Sequence, residues 1–297
     1  MRVLITGVAG FIGSHLAARL CRNGHEVWGT YLGEAPSLDG VELIEFDILD
    51  RQAVDGAVSR ARPDAVVHLA GLSHVGRSWA DPAAYFQVNV LGAEHVLQAA
   101  GDRRVIVASS AEVYGVVEER EQPISEGRMP APASPYALSK AALERVALPA
   151  GAVVVRSFNT IGPGQAAEFA LPTFARQLAA IRSGLQEPVL KVGNLDARRD
   201  FIAVSDAVAG YETLLDSGTP GEIYNIGRGE ALSIETALHR LIVVSGVRAR
   251  IEVDPKRFRP TDIPLLQADS SKLRALGWQP QASVEDALNE LWLSVAA

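Results

Sequence analysis

The chain opens with a short apolar strand that runs straight into glycines. Arg2–Thr6 is followed by Gly7-Val8-Ala9-Gly10-Phe11-Ile12-Gly13, and a helical pattern then runs from Ser14 to Arg22. A G-x-x-G-x-x-G turn between strand and helix allows a tight bend and lets backbone N–H groups approach a pyrophosphate. The helix N-terminus adds positive potential at the same spot. Glycine spacing alone is weak evidence. The strand, turn and helix in this order at the chain start make it a nucleotide-binding signature. Further short apolar runs follow at His25–Thr30, Val41–Phe46, Ala65–Leu69, Val105–Ser109 and Ala152–Ser157. They alternate with helical patterns over Arg51–Arg60, Asp81–Ala100 and Pro135–Leu148. Unbroken runs such as AVVHLA and VIVAS fit strands buried on both faces. Strands alternating with helices predict an α/β fold, a Rossmann-type doubly wound parallel sheet.

The texture changes after about residue 160, where NTIGPGQ and later VDPKRFRPTDIPLL bring frequent Gly and Pro. A run at Glu222–Ile226 is a seventh strand candidate able to return to the sheet, and Arg250–Val253 is a short strand among helices. The predicted division is a dinucleotide-binding domain at 1–160 plus about 200–228. A smaller α/β substrate lobe takes about 161–199 plus 229–297.

Tyr136-Ala137-Leu138-Ser139-Lys140 puts a phenol and an ammonium four residues apart, on one helix face. Ser134-Pro135 ahead of them is a cap and first-turn pair. An ammonium beside a phenol draws the phenol's pKa toward working pH, so the phenol can exchange a proton with a sugar hydroxyl. Ser110, after the fifth strand, is placed to hydrogen-bond the same oxygen. Asp47-Ile48 is a candidate adenine contact, and Ser73-His74 a candidate lining of the sugar pocket. At the tip of the second strand, Trp28-Gly29-Thr30-Tyr31 carries neither the carboxylate of a ribose contact nor an Arg for a 2′-phosphate. NAD and NADP therefore both stay open.

Composition excludes several classes. The formal charge of −7, without a basic run, argues against binding a nucleic-acid backbone. No apolar run has membrane-spanning length, and the N-terminus lacks the features of a signal peptide. Cys21 is the only cysteine, so no intrachain disulfide forms. His15, His25, His68, His95 and His239 have no metal-ligand spacing. The expectation is a cytoplasmic protein with no metal.

GVAGFIG, HLAG at His68–Gly71, Asn89 in NVLG, SSAEVYG, SPYALSK and RSFNTIGPGQ together resemble the extended short-chain dehydrogenases/reductases over nearly the whole chain. The resemblance implies a sheet of about seven strands. It also implies a bound NAD or NADP and a sugar-nucleotide substrate. It assigns Ser110, Glu112, Tyr136 and Lys140 to catalysis. It places Gly7, Gly10, Phe11, Ile12, Gly13, Tyr31, Asp47, Ile48, Leu69, Ala70, Gly71, Asn89, Ser109 and Phe158 around the cofactor, with Tyr136 and Lys140. It also implies a homodimer pairing the helices at Asp81–Ala100 and Pro135–Leu148.

NTIGPGQ, VGNLDARRDF and FRPTD are most similar to the branch that processes GDP-mannose, the GDP-mannose 4,6-dehydratases and GDP-6-deoxy-D-mannose reductases. That likeness implies Arg199 and Arg259 as diphosphate ligands, with Asn194 and Asp262 on the ribose. Ser73, His74, Asn159, Arg176 and Lys191 complete the implied substrate set. In the dehydratases a Glu matching Glu112 handles the C5 proton; reductases of the branch carry one too. The loop Tyr31 to Gly40 is short and lacks the Arg-bearing segment of the dehydratases. The implied activity is reduction of the C4 ketone of GDP-4-dehydro-6-deoxy-D-mannose by NAD(P)H, giving GDP-D-rhamnose. A dehydratase, or another nucleotide-sugar epimerase or reductase, is the alternative.

Overall fold

The glycine turn fixes the first structural unit. In the computed structural model, which describes residues 1–258 and 262–296, β1 (Arg2–Thr6) leads into α1 (Phe11–Arg22). Gly7 has φ +71, and a Cβ there would stand 2.8 Å from the backbone of Ala70. A Cβ at Gly13 would stand 2.3 Å from the carbonyl oxygen of Gly7. Any side chain at either position would pry strand and helix apart. Because the turn is this tight, α1 starts at Phe11, ahead of the expected Ser14, with Gly10 as its extended N-cap residue.

The first half continues as β2 (Glu26–Tyr31), β3 (Val41–Glu45), α2 (Arg51–Ala61), β4 (Ala65–His68), α3 (Val75–Ser78), α4 (Pro82–Phe86), α5 (Gly92–Ala100), β5 (Arg104–Ser110), α6 (Pro135–Ala147) and β6 (Val153–Ser157). Caps start several helices: Asp50 accepts from the Ala53 amide, and Ser134 from that of Ala137. The helix expected over Asp81–Ala100 is present from Pro82 to Ala100. A π bulge at Gln87–Leu91 lies within it and carries the buried Asn89, the kind of defect that often marks a functional site.

The second half contains β7 (Asn159–Ile161), α7 (Ala170–Arg182), β8 (Val189–Val192), β9 (Arg198–Ala203), α8 (Val204–Ser217), β10 (Ile223–Ile226), β11 (Ala231–Ser233), α9 (Ile234–Ser245), β12 (Arg250–Val253), β13 (Leu265–Leu266), α10 (Ser271–Arg274) and α11 (Val284–Ala296). The expected strands at Glu222–Ile226 and Arg250–Val253 are present as β10 and β12. The small strands β7, β8, β9, β11 and β13 are not anticipated by the sequence reading.

Seven strands form the main sheet in the order β10-β6-β5-β4-β1-β2-β3, every neighbouring pair parallel. The strand order reverses at β1, which opens a crevice beyond the carboxyl ends of β1 and β4. One face of the sheet is sealed by α1 and α8 through Leu16, Leu20, Val208 and Leu214. The other is sealed by α2, α5 and α6 through Val54, Val96 and Leu143. A separate apolar cluster joins α7, α9 and α11 through Phe174, Leu178, Leu238 and Leu288. Beside it β9 is flanked by β11 and β13, β7 also pairs with β9, and β12 pairs with β8. No described helix is long and apolar enough to cross a membrane.

Candidate active site

The turn after β1 faces the crevice with its donors open. Gly10 caps α1 without a side-chain hydrogen bond, and the first turn of α1 has no acidic residue. The opening N–H groups of a helix have no intrahelical acceptor, so those of Phe11, Ile12 and Gly13 suit a phosphate. The Val8 amide donates to the Thr30 carbonyl at 2.9 Å and locks the turn to the end of β2. Tyr31 stands half-buried at that end. Exposed Asp47 accepts from the Leu49 amide at 2.9 Å, and Ile48 beside it is buried. Across the crevice the Ala70 amide donates to Thr6 Oγ1, and Leu69 pairs with the Thr6 carbonyl. Phe158, buried, closes this side against Tyr114.

Two expected cofactor residues turn out to be committed within the protein. The Ser109 hydroxyl donates to Glu144 Oε1 at 2.6 Å, so its side chain serves the interior. The Asn89 amide donates to Ser139 Oγ and the Leu72 carbonyl, and accepts from the Leu72 amide. It thereby fixes the Gly71–Leu72 segment. A Cβ on Gly71 would lie 2.8 Å from Asn89 Oδ1 and 3.5 Å from Lys140 Nζ.

β5 and α6 bring the hydroxyl groups together. Ser110 ends β5 and its Oγ accepts from the Glu112 amide at 3.2 Å. The Tyr136 phenol stands beside the Ser110 side chain. One helical turn on, the buried Lys140 donates from Nζ to the Ala108 carbonyl at 2.8 Å. Burial drives the Tyr136 phenol well above its ordinary value, against the pull of the Ser110 side chain, and the nearby Glu112 carboxylate pushes it the same way. Burial pushes the Lys140 ammonium down to about 8, partly opposed by the Glu144 carboxylate. Below it His68 is buried, with Nδ1 2.8 Å from Thr6 Oγ1. Burial, then the neighbouring Lys140 charge, lowers His68 to about 3. It is therefore neutral throughout the working range.

A cleft of about 470 Å³ lies alongside, lined by Asn159, Asn194, Arg199, Asp262, His74 and Phe169 among others. Tyr136 and Ser110 are not in its lining; His74 and Asn159 are the links to them. Tyr85 donates to the His74 carbonyl at 2.6 Å, and its ring packs edge-on to that of Tyr136 at 6.2 Å. Asn159 follows Phe158 directly. On the cleft wall the buried Arg199 donates to Asp262 Oδ1 at 2.8 Å, and Asn194 donates to Asp262 Oδ2 at 2.6 Å.

Arg176 is exposed on α7 and stands outside this lining. Lys191 belongs to a smaller depression with Gln177 and Arg257. Ser73 is exposed next to the cleft residue His74. Arg259 lies outside the described residues. The sequence reading missed Gln165, Phe169 and Arg257 in the cleft wall. Gln165 was within reach, since it closes the NTIGPGQ string; the other two carry no local signal. Among the described residues no cluster of His, Cys, Asp and Glu could hold a metal ion.

A seven-stranded doubly wound sheet, a glycine turn at its crevice and a Ser–Tyr–Lys set at the end of β5 define an extended short-chain dehydrogenase/reductase. The chain belongs to the GDP-mannose 4,6 dehydratase family, which matches residues 4–291. It is 35% identical to the GDP-6-deoxy-D-mannose reductase of Pseudomonas aeruginosa, covering 98% of this chain and 95% of that one. The structure of RMD from Pseudomonas aeruginosa complexed with NADPH superposes with a TM-score of 0.87 at 32% identity, covering 100% of this chain and 99% of that one. Thermus thermophilus UDP-glucose 4-epimerase, solved with NAD, gives a TM-score of 0.89 at 31% identity, covering 99% of each chain.

Proposed function

We propose that this chain is an NAD(P)H-dependent reductase of a GDP-linked 4-keto-6-deoxyhexose, converting GDP-4-dehydro-6-deoxy-D-mannose to GDP-D-rhamnose. The observation that carries this reading is the buried Tyr136 phenol beside Ser110, one helical turn before the buried Lys140. Reduction of a ketone needs a proton donor at the oxygen, and burial keeps this phenol protonated well above neutral pH.

The open amides of Phe11 to Gly13 would hold the dinucleotide's pyrophosphate, and Lys140 would hold its nicotinamide ribose. The bound nicotinamide would supply the hydride. Ser110 polarises the sugar ketone with its hydroxyl, and Tyr136 hands its proton to the developing C4 alkoxide. Lys140 keeps positive charge beside the phenolate that results, which lowers the barrier to that transfer. Arg199 offers a planar guanidinium to the diphosphate. Asn194 and Asp262 offer donor and acceptor to the ribose, and His74 and Asn159 border the hexose. By the same resemblance Arg259 would join Arg199 on the diphosphate.

The 35% identity to a GDP-6-deoxy-D-mannose reductase over nearly the full chain supports this substrate class. A second reading, dehydration of GDP-mannose itself, rests on the Glu112 carboxylate beside Tyr136. The deciding experiment supplies GDP-mannose and GDP-4-dehydro-6-deoxy-D-mannose in separate incubations with NAD(P)H and reads the products by NMR. Consumption of the keto sugar with one equivalent of NAD(P)H oxidised, giving GDP-D-rhamnose, is the expected outcome. Turnover of GDP-mannose to the keto sugar without net NAD(P)H loss would establish the dehydratase instead.

Residues 1–160 with about 200–228 form the cofactor unit in this reading, and about 161–199 with 229–297 the sugar-nucleotide lobe. Two apolar clusters support the division in outline, with Leu273 and Trp278 of the 229–297 segment packing into the core of the main sheet and Phe201 and Ala203 into the second cluster. The enzyme works in the cytoplasm as a homodimer paired through the helical stretch Asp81–Ala100 and α6, where Leu91 and Leu138 are exposed.

A further inference from the structure

We propose that the dinucleotide site selects NAD(H) over NADP(H), on the basis of charge at the ribose end of the crevice; this rests on the dinucleotide-binding reading above. The adenosine ribose of a dinucleotide held on this turn lies between the turn and the end of the second strand. Here those two pieces are tied together. The Val8 amide bonds the Thr30 carbonyl at 2.9 Å, and a Cβ on Gly29 would meet the Val8 side chain at 2.5 Å. The residues able to reach a 2′-substituent are therefore few and fixed.

None of them is a cation. The variable turn positions are Val8 and Ala9, and the strand ends Thr30-Tyr31 before Leu32-Gly33-Glu34. The connection Tyr31 to Gly40 holds no Lys or Arg; Glu34, soon after Tyr31, is exposed, whereas Asp39 has travelled to the opposite end of the sheet, where Val41 pairs with Val27. On the other side of the ribose end, the loop after β3 contributes Asp47 and Asp50. Its Asp50 is spent capping α2, while Asp47 is exposed. The nearest cation by topology is Arg51, the first residue of α2, whose guanidinium is 3.9 Å from Asp55 one turn along.

A ribose 2′-phosphate carries close to two negative charges at neutral pH. In this place it would meet carboxylates and give up water without gaining a charged donor. A 2′-hydroxyl has no such penalty, and both the Tyr31 hydroxyl and the Asp47 carboxylate are hydrogen-bonding groups suited to it. The discrimination is thus set by repulsion of the phosphate, not by a carboxylate clamp on the ribose.

The test is a fluorescence titration of the whole protein with NADH and with NADPH, without sugar nucleotide. NADH is expected to bind about tenfold tighter, equivalent to about 1.4 kcal/mol. The gap is expected to narrow between about 0.1 M and about 1 M salt, as the screening length falls from about 10 Å to about 3 Å. Glu34→Arg should tighten NADPH and leave NADH unchanged. Equal or tighter binding of NADPH overturns the proposal, as does loss of NADPH affinity alone in Arg51→Ala, which would make Arg51 a phosphate ligand. Failure to bind either dinucleotide overturns the proposal together with the dinucleotide reading. Failure of the reductase reading leaves the titration result intact, because no sugar enters it.

Discussion

Glu144 grips Arg156 across the interior with both carboxylate oxygens, at 2.9 Å from Oε1 to Nε and 2.6 Å from Oε2 to Nη2. Side chains of both residues are almost fully buried, 3% and 2% exposed. Glu144 lies one helical turn past Lys140, and it also takes the Ser109 hydroxyl from β5. Arg156 stacks over the Tyr114 ring at 4.6 Å, and Tyr114 donates to Asn225 on β10. The pair therefore ties α6, which carries Tyr136 and Lys140, to three strands of the sheet.

Removing one partner of such a pair strands the other charge in a dry interior. Glu144→Ala is expected to lower unfolding free energy by about 3–5 kcal/mol, the scale for an orphaned buried charge. Ser109→Ala, which removes one neutral donor, should cost only about 1 kcal/mol. Urea denaturation of both variants checks the difference; equal costs would mean that the guanidinium finds another partner.

Tyr136→Phe removes the proton donor and keeps the ring packed against Tyr85. Turnover of the keto sugar should fall by roughly 10²–10⁴-fold, the range for losing a general acid. NAD(P)H binding should stay intact in fluorescence titration. Turnover close to that of the parent enzyme would take Tyr136 out of the mechanism.

Lys140 is held near 8 by burial, below its ordinary 10.5. Its charge is present below that pH and disappears above it, so the rate of ketone reduction should decline on an alkaline limb centred near pH 8. Stability moves the other way. The unfolded chain binds more protons than the folded one between about 8 and 10.5, so the penalty of the buried ammonium is relieved as pH rises through that window. A pH–rate profile and a set of melting curves read the two effects separately. Lys140→Met should abolish the stability gain across that window.

His68 reports at the other end of the scale. Buried and lowered to about 3 from an ordinary 6.5, it is neutral in the folded protein where the unfolded chain would protonate it. The folded state therefore loses stability as pH falls from about 6.5 toward 3. His68→Gln should flatten the acid limb of a stability–pH curve while lowering stability at neutral pH. An unchanged acid limb would show that His68 is protonated in the fold.

How far the sequence predicted this site depends on where each signal lies. The parallel sheet and its crevice were legible because VLI, AVVHLA and VIVAS are continuous apolar runs and the glycine turn is local. Tyr136 and Lys140 were legible because their spacing is one helical turn. The π bulge at Gln87–Leu91 inside the Asp81–Ala100 helix was not, since it comes with the tertiary hydrogen bonds of Asn89 to Leu72 and Ser139. β9 was missed because Arg198-Arg199-Asp200 starts it with charges. Those charges find partners far along the chain: Arg199 at Asp262, and Asp200 at the amides of Arg228, Gly229 and Ala268. Ser109 ends the expected strand Val105–Ser109 and was expected at the cofactor, and only the arrival of Glu144 from α6 shows its side chain turned inward.

The Arg199–Asp262 pair offers a test that separates structure from recognition. Arg199 is buried and also donates to the Ile263 carbonyl at 2.6 Å, so it pins the residues that follow the 259–261 segment as well as facing the cleft. Arg199→Ala should weaken GDP-sugar binding and lower stability together, because Asp262 and the Ile263 carbonyl both lose a charged donor. Asp262→Asn keeps the shape and an acceptor oxygen but removes the charge holding Arg199. If the guanidinium serves the diphosphate, this variant should bind NAD(P)H normally and GDP less tightly, with melting temperature little changed. Isothermal titration with GDP alone checks it. A large loss of melting temperature with unaltered GDP affinity would assign the pair to holding β9 and β13 together and leave the diphosphate to other residues.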